Sequence, residues 1–126
     1  MEVEFGTLRG RRFQAVRQFL TEGGLTPPET PPPFTVTLLE EGEPQATGSL
    51  DGGLLEYVAV RPGRQGDGLC AAVVSHLTRQ ALQQGREHLM LCTKPENRGL
   101  FGGLGFYPVT ETAGMLLMEN RRRGVE

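Results

Sequence analysis

Two hydrophobic periods alternate along this chain, and their switches mark its elements. Polar and apolar residues alternate from Glu2 to Phe5, which predicts a short strand. From Leu8 to Glu22 the spacing changes to three and four, placing Phe13, Val16 and Leu20 on one helical face. Gly23-Gly24 supplies the stop. Prolines at 27, 28 and 31–33 then predict an extended linker over about 26–33 that cannot be helical. Phe34–Leu39 reads as a strand, Glu41–Pro44 as a turn and Gln45–Leu50 as the returning hairpin partner. Asp51-Gly52-Gly53 turns the chain again into a strand over Leu54–Val60. From Leu69 to Gln84, Cys70, Val73, Val74, Leu77 and Ala81 share one face, predicting a helix packed on a sheet and capped by Gly85. His88–Cys92 reads as a buried strand, Asn97–Gly103 as a short helix, and Gly105–Val109 and Met115–Glu119 as closing strands. This order predicts an α/β (α+β) domain: a mixed, mostly antiparallel sheet of about six to seven strands flanked by about three helices.

The chemistry concentrates where the strand Leu54–Val60 meets the helix from Leu69. Pro62 and Gly63 stop the strand, and Gly66 and Gly68 bracket Asp67 just before the helix. The first amides of a helix have no partner within it and lie at the positive end of its dipole. They form an anion site, and glycine lets the backbone approach the ligand. A glycine pair alone also serves many turns that bind nothing. No Gly-Lys-Ser/Thr follows, so this is not a P-loop. A third glycine and an acidic strand end about 20 residues later are missing, which argues against a dinucleotide fingerprint.

Composition narrows the rest. A chain of 126 residues, 37% hydrophobic and with net charge −2, is one ordinary globular domain. No apolar run spans a membrane, and Met1–Phe5 lacks a signal peptide's pattern. With Cys70 and Cys92 inside regular elements, this predicts reduced thiols and a cytoplasmic location. His76, His88 and the cysteines have no metal-ligand spacing, so no metal is expected. Arg9, Arg11, Arg12 and Arg17 in the first helix, and Arg121–Arg123, sit in a slightly acidic chain with few aromatics. They read as solvated faces rather than a nucleic-acid surface.

Gln65-Gly66-Asp67-Gly68-Leu69-Cys70 resembles the acetyl-CoA loop of the GNAT acetyltransferases, Gln/Arg-x-x-Gly-x-Gly/Ala, with Cys70 as the departing final residue. Leu104-Gly105-Phe106 resembles the same family's Leu-Gly-Phe. The runs Val58–Val60, Gln65–Leu69, His88–Asn97 and Leu100–Phe106 are similar to the N-terminal, acetyltransferase-like domain of citrate lyase ligases, with Thr93-Lys94-Pro95-Glu96-Asn97 the most specific piece. The resemblance implies a single GNAT-type domain over 1–126, without the nucleotidyltransferase domain that follows in that branch. The His-x-x-His nucleotide motif is absent, so ATP-dependent ligation is not expected from this chain.

That resemblance implies acetyl-CoA, or CoA, as cosubstrate. The backbones of Val58 and Val60 would meet the pantetheine arm, and the amides of Gln65, Gly66, Asp67, Gly68, Leu69 and Cys70 the pyrophosphate. Asn97 would reach the pantetheine or acetyl end, unless it simply caps a helix. Phe101 stands where the family commonly carries a proton-donating tyrosine. Arg61 and Arg64 would approach the 3′-phosphate or stay solvated, and Lys94 is a further candidate for contacting phosphate or carboxylate. Amine acetylation also needs a base, for which Glu56 is the acidic residue on the strand. Two functions stay open. One is acetyl transfer to a small-molecule or acyl-carrier-protein acceptor. The other is an accessory domain that binds the CoA-like arm of a carrier protein. A homodimer is compatible with either.

Overall fold

The computed structural model describes residues 1–121. Its seven strands form one sheet: β1 (Glu2–Gly6), β2 (Phe34–Glu40), β3 (Glu43–Asp51), β4 (Leu54–Val60), β5 (Met90–Thr93), β6 (Tyr107–Thr112) and β7 (Met115–Glu119), in the order β1-β2-β3-β4-β5-β7-β6. Neighbours are antiparallel except β4 and β5, which run parallel. The described residues also form three helices: α1 (Gly10–Glu22), α2 (Leu69–Gln83) and the short α3 (Arg98–Gly102), the last preceded by a 3-10 turn at Pro95–Asn97. The mixed, mostly antiparallel α/β architecture expected from the sequence is observed.

The helices lie on opposite faces. Val73, Val74, Leu77 and Ala81 of α2 bury against Val36, Leu38, Ala46, Leu50, Leu55 and Leu91 in the main core. Closeness there depends on Gly48, where a Cβ would stand 2.5 Å from Val73 Cγ1. On the other face, Phe13, Val16 and Leu20 of α1 join Leu8 in a second cluster, with Leu25, Tyr57 and Ala59 packed against it. Thr35, Thr37, Thr47 and Ser49 are buried and satisfied by one another and by the backbone, as in the 2.7 Å Thr35–Ser49 contact and the 2.9 Å bond from Thr47 to the Val36 carbonyl.

Several element boundaries differ from the sequence reading. The strand expected from His88 begins at Met90, because His88 bonds Glu119 at 2.7 Å and the Leu89 amide donates to Asn120 Oδ1 at 2.8 Å. The helix expected over Asn97–Gly103 divides into the 3-10 turn and α3, and β6 runs from Tyr107 to Thr112 rather than from Gly105 to Val109. The proline segment is extended and also packed: Pro28 and Pro32 are buried, and Arg17 Nε donates to the Pro28 carbonyl at 2.9 Å. Two arginines read as solvated are pinned. Arg17 also lies over the Phe13 ring, and Arg12 pairs with Glu4 at 2.9 Å. Arg122 and Arg123 lie outside the described residues.

Candidate active site

The site starts from a defect in β4. Its register with β3 passes from Ser49↔Glu56 to Thr47↔Ala59, so β4 carries one extra residue. Tyr57 absorbs it with a positive φ of 55°. A bulge bends its strand and re-aims the neighbouring side chains. Leu55 and Val58 face the main core, while Tyr57 and Ala59 face the α1 cluster. On its other edge β4 pairs with β5 only at Leu54↔Met90 and Leu55↔Leu91. Beyond Leu55 the two parallel strands part.

The opened edge has a definite chemistry. The Arg61 amide donates to the Gln45 carbonyl of β3 at 2.8 Å, which fixes the alternation of backbone groups along the end of β4. The N–H and C=O groups of Val58 and Val60 therefore turn away from β3, toward the gap. Gln65 Nε2 reaching the Val60 carbonyl at 3.5 Å agrees with that phase. The side chains of both valines pack against the main core.

The glycine loop continues from this edge. Arg64 N–H bonds the Arg61 carbonyl at 2.9 Å, and Asp67 N–H bonds the Arg64 carbonyl at 3.2 Å, giving two successive turns. Gly66 and Gly68 have φ of 93° and 79°, in the left-handed region that favours glycine. Gly68 is the N-cap of α2, with no side-chain cap, and its carbonyl accepts from Ala72 N–H. The amides of Leu69, Cys70 and Ala71 thus open the helix without partners among the described residues. Gln65, Gly66, Asp67 and Gly68 are exposed, Leu69 is buried in the core, and burial pushes the half-buried Cys70 thiol up.

The side chains divide between the gap and the frame. Glu56, half-buried beside the bulge, has its carboxyl raised above the usual glutamate range, first by burial and then by Asp51. Burial, and then Glu56, raise the Tyr57 phenol likewise. Asn97 occupies the N-cap of α3 but makes no capping bond; its Nδ2 donates to Thr93 Oγ1 at 3.0 Å, tying the segment after β5 to the strand. Phe101 is buried, edge-on to Phe106 at 6.4 Å, so its ring is a core side chain. Arg61 donates twice to the Pro44 carbonyl, at 3.0 and 2.7 Å, and lies over the Phe19 ring. Arg64 is bound to Glu40, Gln45 and Asp67. Both arginines are thus engaged within the chain rather than left free at the surface. Lys94 is exposed at the end of β5. Among the described residues no three His, Cys, Asp or Glu side chains converge as a metal site, and both cysteines are free thiols. Among the described residues no helix is long and apolar enough to cross a membrane.

A shallow groove of about 430 Å³ runs beside α2, lined by Ala71, Val74, Ser75, Thr78, Arg79, Leu82 and Leu104. It begins at Ala71, the last of the free amides. The sequence reading did not find it, because it is shaped by Leu104 returning from α3, a tertiary contact with no local signal.

A parallel strand pair that parts at a bulge, with a glycine loop feeding the central helix, defines a class. The chain belongs to the acetyltransferase (GNAT) family, whose sequence profile matches residues 13–106. Within that class it is similar to part of the [citrate [pro-3S]-lyase] ligases. It is 40% identical to the Klebsiella pneumoniae protein over 76 residues, covering 60% of this chain and 22% of that protein. It is 31% identical to the Escherichia coli K12 protein over 111 residues, covering 87% and 31%. The chain therefore spans about a third or less of these two relatives. Solved structures share the fold at lower identity. Escherichia coli ElaA matches with a TM-score of 0.78 at 14% identity, covering 95% of this chain and 99% of that one. An N-acetylglutamate synthase from Neisseria gonorrhoeae, solved with coenzyme A and N-acetyl-glutamate, matches with a TM-score of 0.72 at 14% identity, covering 96% and 35%.

Proposed function

We propose that this chain binds acetyl-CoA and transfers its acetyl group to an acceptor. The observation that carries the reading is the continuity of two backbone surfaces. The gap beyond Leu55, edged by Val58 and Val60, leads into the amides of Gly66 to Cys70. The pantetheine arm would lie along the first as an added strand, its amides bonding to Val58 and Val60. The pyrophosphate would rest on the second, where oriented amides and the α2 dipole favour negative charge. Asn97 and the segment after β5 would close the far wall of the gap, with Phe101 packed behind it.

The chemistry follows from that placement. An amide of β4 aimed into the gap would polarise the thioester carbonyl. Glu56, held above the usual glutamate range, would take the proton of an attacking amine through a water. The departing thiolate needs a proton, and Phe101 has none to give. That favours a second reading, in which the chain binds a CoA-like arm, such as that of an acyl carrier protein, and chemistry occurs elsewhere. Similarity to the citrate lyase ligases supports this second reading. A cytoplasmic location and a homodimer belong to the same proposal and rest on no relative.

Calorimetric titration with acetyl-CoA, followed by a thiol-release assay across amine and carrier acceptors, separates the two. Saturable binding with thiol release supports transfer; saturable binding without release supports the accessory reading. Gly68→Ala should weaken binding at least tenfold, because a Cβ at φ 79° forces the loop to shift or to bear roughly 1–2 kcal/mol of strain. No binding by the parent chain would contradict both readings.

A further inference from the structure

The glycine loop carries a residue that opposes its own task. Asp67 lies between Gly66 and Gly68, one residue before the helix N-cap, and is exposed. A carboxylate there repels any diphosphate brought to the amides of Leu69 and Cys70. One side chain answers it. Arg64 Nε donates to Asp67 Oδ2 at 3.0 Å across the turn. The same guanidinium, through Nη1, pairs with Glu40 at the end of β2 and donates to Oε1 of Gln45 in β3 at 3.3 Å. Gln45 is itself buried, and its Nε2 donates to the Glu43 carbonyl at 3.1 Å. Arg61, three residues earlier, fixes the start of the loop to the same hairpin through the Pro44 carbonyl.

We propose that Arg64 is a positioning residue: it clamps the glycine loop onto the β2–β3 hairpin and neutralises Asp67, so that the loop can accept an anionic ligand. The inference rests on the reading of this loop as the diphosphate site. It adds a role for a side chain that would touch no ligand. Arg64 faces two carboxylates, Glu40 and Asp67, so its charge is spent within the chain. The planar fork suits this, since Nε serves Asp67 while Nη1 serves Glu40 and Gln45, in fixed directions.

The test is a double-mutant cycle on the complete chain, read in two ways. Coenzyme A titrations are run on the wild type, Arg64→Ala, Asp67→Asn and the double variant. Arg64→Ala should weaken binding about tenfold or more. Asp67→Asn alone should bind at least as tightly as the wild type, and adding it to Arg64→Ala should recover most of the loss. A purely structural loss of the arginine would not be rescued by removing a charge. Amide hydrogen exchange over residues 63–70 without ligand is the second readout, and Arg64→Ala should speed it severalfold. Binding by Arg64→Ala within twofold of wild type, or a double variant as weak as Arg64→Ala, overturns the proposal. So does unchanged exchange, even if the wild type binds no coenzyme, an outcome that would separately refute the diphosphate site.

Discussion

Glu56 is the residue at which pH dependence and stability should part. Its folded carboxyl is raised above the ordinary glutamate value by burial and by Asp51. The ionised form is therefore disfavoured in the folded chain. At neutral pH Glu56 lowers stability, and the penalty is relieved as pH falls through the raised value toward the unfolded one. If Glu56 takes the acceptor's proton, activity falls over that same interval. Glu56→Gln should cut kcat/KM by about 100-fold or more and remove the acidic limb, while the melting temperature stays equal or rises. A variant with full activity would show that another group is the base. At this scale the sequence disclosed residue types better than surroundings. Glu56 could be singled out because no other acid lies on its strand. The burial of Phe101 against Phe106, and the commitment of Arg61 and Arg64 to the β2–β3 hairpin, depend on distant segments that periodicity does not report.

Among elements, α2 and the strands beneath it decide the geometry. Gly48 lets the helix close on β3, since a Cβ there would meet Val73 at 2.5 Å, Leu77 at 3.1 Å and Val58 at 3.3 Å. Gly48→Ala should destabilise the chain by about 1–3 kcal/mol through overpacking, measurable by denaturant melts. Because Val58 is one of the three contacts, coenzyme affinity should fall as well. A neutral substitution would mean that α2 has slack. Gly48 sits inside an otherwise regular strand pattern, and a lone glycine there reads only as a weak spot. The β4 bulge was hidden for a related reason. Tyr57-Val58-Ala59-Val60 suits an unbroken strand, and the extra residue becomes visible only against the register of β3. Most elements were legible because each carries its own period and its own punctuation. The start of β5 was not, because the side chains of Glu119 and Asn120, far along the chain, hold His88 and the Leu89 amide before the strand begins.

At the scale of the molecule, a sheet covered by α1 on one face and α2 on the other is interrupted where β4 leaves β5, and the glycine loop opens at the end of that break. We propose that one coenzyme occupies both. Nuclear magnetic resonance titration of the labelled chain with coenzyme A tests it most directly, because each backbone amide reports separately. Saturable shifts, with a single affinity, are expected at the amides of Val58 and Val60 and of Gly66 to Ala71, with little change in β1 or in the proline segment. Shifts confined to other surfaces, or none at saturating coenzyme, would contradict it.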